Sequence, residues 1–263
     1  MKRLERLLNI KNHQIIESEQ VLNQIKLRAK FDNTLLSGSK IIEYLLQGGF
    51  RAGEMYLVYG ENKTGKTQLC HQLCIQTVGI GRGIYYLDTE NTFRADRVIQ
   101  MATNRINAPY NILKEIYVSK ISSNSMLKLV LNEIEIKLNS LNDSGRTLLV
   151  VDSINNYFRY ERGIPDVSYH KTATIFLQIL EKLSDLTERY NLITIATAQV
   201  TPNLIKNTEF SEIPVGNQYL NHFFTEHVYL KRNYDGSNII YLLNSQNLPE
   251  KQATYIITTS GIE

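Results

Sequence analysis

Gly60, Glu61, Asn62, Lys63, Thr64, Gly65, Lys66 and Thr67 follow one another in the pattern G-x-x-x-x-G-K-[ST]. That spacing suits one task. Two glycines let the backbone fold closely around a phosphate, and the amides of the helix that follows, opening at Gln68, point at it. Lys66 is placed to reach the β- and γ-phosphates, and the Thr67 hydroxyl to bind Mg²⁺. The apolar run Met55–Tyr59 before the loop reads as a buried strand, and Gln68–Ile75 after it as a helix, which is the context the motif needs. The segment predicts a nucleoside triphosphate site.

Two further segments supply acids. Thr147–Val151 is an apolar strand that ends in Asp152, where a carboxylate can support the Mg²⁺ shell directly or through Thr67. Tyr85–Leu87 leads into Asp88 and Glu90, an acidic pair at the C-terminal end of another strand, the edge where ligands sit in open α/β sheets. Glu90 is the candidate to orient or deprotonate an attacking water. A helix-capping acid is the structural alternative at that position. Cys70 and Cys74 lie on one face of the helix after the loop, and with no further ligands nearby they read as core packing.

These groups must be carried by alternating strands and helices. Apolar runs predict strands at 55–59, 84–88, 116–118, 147–151, 192–197, 227–231, 238–243 and 253–258, and helical periodicity predicts helices at 66–78, 94–104, 123–140 and 169–190. The early strands are continuously apolar, as in a parallel sheet covered on both faces. The last three are shorter and joined by tight connections such as Asn233–Gly236, which predicts an antiparallel edge. The fold class is α/β with a mixed, mostly parallel, twisted sheet. Residues 1–30 show two short amphipathic patterns and are expected to form a helical arm, leaving 31–263 as the core.

Charge is uneven. Residues 1–30 hold seven Lys/Arg against three Glu, a net of +4, so the remaining 233 residues carry 22 basic and 23 acidic groups. A core of net −1 gives no bulk attraction for nucleic acid, and any contact must use a local basic stripe or the arm. No apolar run reaches the ~18 residues of a membrane span, and the start of the chain lacks the apolar stretch of a secretory signal. The expected location is cytoplasmic, at the nucleoid.

Leu87-Asp-Thr-Glu-Asn-Thr-Phe-Arg94, followed by Asp96 and Arg97, resembles the corresponding signature of the archaeal RadA recombinases of the RecA superfamily. Gly65–Leu69, Leu148–Ser153, Thr197–Val200 and Leu248–Glu250 lie around it in the family's order, and Ser37–Ser39 and Leu45–Gly49 resemble the lead-in to its ATPase core. The resemblance covers about residues 31–263 and implies a RecA-like P-loop ATPase fold using ATP and Mg²⁺. It implies that Lys66, Thr67, Glu90 and Asp152 act as reasoned above, and that Gln199 senses the γ-phosphate and passes that state to the following loop. Arg105 is matched to the position whose guanidinium stacks on adenine, and Asn244–Pro249 to the cap over ATP from an adjacent subunit. Two loops correspond to the family's DNA-binding loops. The first, Phe158–Gly163, offers Arg159 and Arg162 beside aromatics, and the second, between Val200 and Gly216, offers Lys206 and Phe210.

The chain departs from the family pattern at several points. Residues 1–30 are shorter than the family's N-terminal domain, and residues 1–35 contain no Phe-x-x-Ala plug for filament assembly. A paired glycine is replaced by Gly216-Asn217, and the cap keeps only Pro249. The resulting expectation is a RadA paralogue, an ATPase that binds single-stranded DNA and acts as an accessory factor in recombination and repair, with RadA as a possible partner and self-association open. The alternatives are a full strand-exchange recombinase, and an ATP-gated or clock-protein-like regulatory module that does not bind DNA.

Overall fold

The computed structural model describes residues 33–78, 81–103, 109–140, 146–165, 168–204 and 210–263. Residues 35–263 form a compact unit of their own. The arm expected over residues 1–30, Arg105 and Lys206 all lie outside the described residues.

The core is one sheet of eight strands: β1 (Met55–Gly60), β2 (Gly81–Asp88), β3 (Ile116–Lys120), β4 (Arg146–Asp152), β5 (Ile193–Ala198), β8 (Glu226–Arg232), β9 (Asn238–Leu243) and β10 (Lys251–Tyr255). Two short strands, β6 (Val200–Pro202) and β7 (Glu212–Pro214), form a separate hairpin. The sheet order is β10-β9-β8-β1-β5-β4-β2-β3. The six strands from β8 to β3 pair in parallel, while β9 and β10 add the antiparallel edge. The β8–β9 turn closes as the Asn233–Gly236 segment predicts, with Gly236 at φ +84° and its amide donating to the Asn233 carbonyl at 3.0 Å.

Alternation along the parallel strands feeds two cores. In β4, Leu148 and Val150 face one side, while Leu149 and Val151 face the other, and all four are buried. The first side is covered by α1 (Lys40–Leu45), α2 (Lys66–Thr77) and α3 (Ala95–Ala102); the second is covered by α4 (Asn124–Ser140) and α6 (Tyr169–Arg189). Helix α4 buries Leu127, Leu131, Ile134 and Leu138, a single apolar stripe at helical spacing. Cys70 and Cys74 are free and fully buried in the first core, so the packing role expected of them holds. Among the described residues, no helix is long and apolar enough to cross a membrane.

Three expectations need correction. The strand expected at 253–258 breaks after Tyr255. Ile257–Thr258 (β11) instead pairs with Gly261–Ile262 (β12), because side chains from α2 and α3 hold that turn. Gln72 grips both Ile262 backbone groups, and Arg97 takes the carbonyls of Thr258 and Thr259.

The first expected loop is instead a helix, α5 (Asn156–Arg162), pinned by Phe158, which is fully buried and stacked on Phe176 at 4.3 Å. Phe158 is therefore not a surface for stacking bases. The second expected loop begins and ends as the β6–β7 hairpin and runs into α7 (Asn217–Phe223). Gly216 enters that helix at φ +85°, and a Cβ there would stand 3.2 Å from both Phe158 and Phe176.

Candidate nucleotide site

Strand β1 delivers the chain to Gly60, whose backbone turns at φ +151° beside β8. A Cβ at that point would lie 2.0 Å from the Leu230 carbonyl oxygen, a backbone atom that cannot step aside. Gly60→Ala is therefore expected to destabilise the fold by about 3 kcal/mol or more, read as a lowered urea midpoint; an unchanged midpoint would contradict the close approach. The loop then closes on itself. The Thr64 hydroxyl donates to the Glu61 carbonyl at 2.8 Å, and Tyr255 donates to the Thr64 carbonyl at 2.5 Å. Gly65, left-handed at φ +102°, is the residue from which α2 starts.

Lys66 bridges the loop, its ammonium 2.8 Å from the carbonyl oxygens of both Gly60 and Glu61. Burial draws its pKa below the ordinary lysine value, against the opposing pull of Glu90 and Asp152. Asn62, Lys63, Gly65, Lys66, Thr67 and Gln68 line one cavity of about 470 Å³. Of the other loop residues predicted to bind, Thr64 is buried and serves the loop itself. Gly60 and Glu61 line a neighbouring cavity of about 400 Å³ instead.

The acids arrive from adjacent parallel strands, in a register that sets Asp88 beside Asp152. Asp152, 2% exposed, accepts hydroxyls from four directions. Thr67 (2.8 Å), Tyr86 (2.7 Å) and Thr92 (3.2 Å) donate to its Oδ2, and Thr197 donates to Oδ1. Burial and the Asp152 charge both push the Tyr86 phenol well above its usual pKa, so it remains a donor. A hydroxyl and a carboxylate side by side form a hard oxygen donor set suited to Mg²⁺. Thr67 and Asp152 thus fit the ion implied by the phosphate loop.

The acidic pair at 88–90 divides by role. Asp88 accepts the backbone amides of Thr92 and Phe93, each at 3.0 Å, and shapes the turn. Glu90 instead enters the cavity, where Ser153 Oγ donates to it and Gln199 Nε2 does so at 2.8 Å. The capping role weighed for Glu90 is not taken up, since the cap residue of α3 is Arg94 and no side chain bonds its first amides. Glu90 lines the first cavity and Gln199 the second, so their hydrogen bond forms the partition between the two.

Arg97 also lines the first cavity. In the sequence it belongs to the signature alone, and the signal for its role is its place in the first turn of α3, one helical turn from Arg94. The Gln68 side chain (2.6 Å) and the Thr258 (2.7 Å) and Thr259 (2.9 Å) carbonyls hold its guanidinium in place. The wall beside it is Ile257 on β11, which sequence periodicity assigned to a longer strand. The predicted DNA contacts diverge. Arg159 lines the second cavity with Gln199, while Arg162 lies 5.5 Å from the ring centres of both Phe158 and Tyr169. Phe210 packs edge-on to Tyr229 and Tyr241.

A family model described as Rad51 matches residues 33–263. The chain belongs to the Rad51 family. A DNA repair and recombination protein RadA from Methanocorpusculum labreanum is 30% identical over 84% of this chain and 73% of its own length. The meiotic recombination protein DMC1/LIM15 homolog of Homo sapiens is 31% identical over 87% of this chain and 69% of its own length. A further RadA, from Cenarchaeum symbiosum, is 26% identical over 92% of this chain. The mostly parallel eight-stranded sheet is the architecture of a RecA-like core, and the Rad51 family is one of ATPases.

One buried group of this Rad51-family core has no part in the site. His71, 1% exposed, packs against Phe93 and Tyr86, and neither ring nitrogen has a hydrogen-bond partner among the described residues. Burial lowers its pKa to about 4, and does the same to His227. Unfolded histidines titrate near 6.5, so the unfolded chain binds more protons between these values. The stability contributed by these neutral rings is present above about pH 6.5 and is lost as pH falls toward 4. His71→Phe is expected to flatten the decline in melting temperature over that window while raising or preserving stability at pH 7. An unchanged pH profile would show that His71 is not the titrating group.

Proposed function

We propose that this Rad51-family chain hydrolyses ATP, binds single-stranded DNA, and serves homologous recombination and repair as an accessory factor. The observation that carries this reading is one cavity lined by Thr67, Asp152 and Glu90, with Thr67 bonded to Asp152 at 2.8 Å and Glu90 held from the neighbouring cavity by Gln199 at 2.8 Å. The triphosphate lies along the amides from Asn62 to Thr67. Lys66 exchanges the Gly60 and Glu61 carbonyls for phosphate oxygens, a short movement for a flexible ammonium. Mg²⁺, held by Thr67 and supported by Asp152, would neutralise charge on the β- and γ-phosphates. Glu90 accepts a proton from the attacking water, which Gln199 orients. The new P–O bond forms to that water as the bond to the β-phosphate oxygen breaks, leaving ADP and inorganic phosphate. The adenine base is placed against Ile257 and Arg97, which both line the cavity, with Arg105 as the stacking cation that the resemblance implies.

For DNA the support is local. Helix α5 presents Arg159 beside Tyr160, which is 68% exposed, giving a cation and an aromatic for phosphate and base. Lys206 and the basic residues of 1–30 supply further positive charge. The decisive experiment measures phosphate release with and without an oligothymidylate, together with oligonucleotide affinity across a salt series. Stimulated release and affinity that falls steeply with salt are expected. Release unchanged by oligonucleotide, with no measurable binding, would sink the DNA assignment and leave a nucleotide-gated module. Long regular filaments with ATP and single-stranded DNA in electron micrographs would instead mark a strand-exchange recombinase. A gel-filtration shift with RadA tests the partnership.

A further inference from the structure

After Asp152 the chain enters α5 through two successive asparagines whose side chains act in different directions. Asn155 is fully buried. Its Nδ2 donates to the carbonyls of Gln199 (2.9 Å) and Val215 (3.0 Å), and its Oδ1 accepts the Gln199 amide (3.0 Å). These residues are the two ends of the second-loop segment, and the Val215 amide also donates to the Gln199 carbonyl at 3.0 Å. Asn155 thus closes the neck of that segment with both amide hydrogens and its oxygen engaged. Asn156 donates instead to the Thr89 carbonyl at 2.7 Å, on the residue before Glu90. One short turn therefore grips the backbone on both sides of the Glu90–Gln199 contact. It also begins the helix that bears Arg159.

We infer that Asn155 and Asn156 are positioning residues, forming a bracket through which α5 and the β6–β7 hairpin are mechanically tied to the Glu90–Gln199 pair. This inference rests on the functional reading above. A polyanion bound at Arg159 and along the hairpin draws on α5 and on the hairpin's neck. Each carries its displacement through one asparagine to one member of the pair. A buried amide with every group bonded yields little before a bond breaks, since an orphaned polar group there is costly. The pair is joined by a single 2.8 Å hydrogen bond, so a shift of a few tenths of an ångström re-aims the water-orienting atoms. By reciprocity, nucleotide in the first cavity changes the affinity of α5 and the hairpin for the polyanion.

The test compares wild type, Asn156→Ala, Asn156→Gln and Asn155→Ser. For each, the affinity of a fluorescent oligothymidylate is measured with and without a slowly hydrolysed Mg²⁺–ATP analogue, and nucleotide affinity is measured alone. Asn156→Ala is expected to keep the affinity for nucleotide alone and for oligonucleotide alone within about twofold, while reducing the ratio of oligonucleotide affinity with the analogue to that without it by about fivefold or more. Asn156→Gln, which retains the amide donor, recovers part of that ratio. Asn155→Ser has the larger effect, and should it fail to fold, the Asn156 pair decides alone. A ratio in Asn156→Ala equal to that of wild type overturns the bracket. Wild type binding neither nucleotide nor oligonucleotide overturns the functional reading instead, and the two failures are distinct.

Discussion

Lys66→Ala is expected to lower ATP hydrolysis by about 10²–10³-fold, the scale on which a preorganised charge stabilises a transition state, with an unchanged melting temperature. The second half of that expectation comes from what Lys66 touches. Among the described residues its ammonium bonds to the Gly60 and Glu61 carbonyls of its own loop, so removing it breaks no contact between distant segments. Burial holds its pKa below the usual lysine value, a desolvation cost that a bound phosphate would offset. Phosphate release under saturating Mg²⁺–ATP checks the first half and a thermal melt the second. Turnover equal to wild type would remove the phosphate loop from the mechanism.

Glu90→Gln separates binding from chemistry. Glutamine keeps an oxygen for the Ser153 hydroxyl and the Gln199 amide, so the partition between the cavities survives the change. What it loses is the ability to take a proton from water, worth about 10²–10⁴-fold in rate for a general base. Nucleotide affinity is expected to stay within about twofold while phosphate release falls by that factor. Wild-type release in this variant would reassign the base, and Asp152 would be a poor substitute because its oxygens already accept four hydroxyls.

Much of this site was legible in the linear chain because its chemistry is local. Gly60 to Thr67 need only the strand before them and the helix after them, and both are written in the hydrophobic pattern. Asp152 and Glu90 were legible because an apolar run that stops at a carboxylate places it at the edge of a buried sheet. The split between Asp88 and Glu90 was harder. Two acids two residues apart are equivalent until the turn at 89–93 supplies amides to the first of them.

Contacts between distant segments were not readable. Nothing in the order of residues says that Arg97 will find the carbonyls of Thr258 and Thr259, more than 160 positions away, and so help form the wall of the cavity. Phe158 read as an aromatic on a loop because its burial depends on Phe176 and Tyr219 from other helices. The asparagine bracket was missed for the same reason: Asn155 and Asn156 are ordinary turn residues until the packed sheet brings Gln199, Val215 and Thr89 within reach. Covalent order determined the phosphate loop, its flanking strand and helix, and the two acids at strand ends, because each is set by neighbours along the chain. The tertiary structure alone decided which carboxylate faces the cavity, which arginine lines it and what joins it to α5. Those outcomes depend on side chains hydrogen-bonding to backbone groups that only packing brings close.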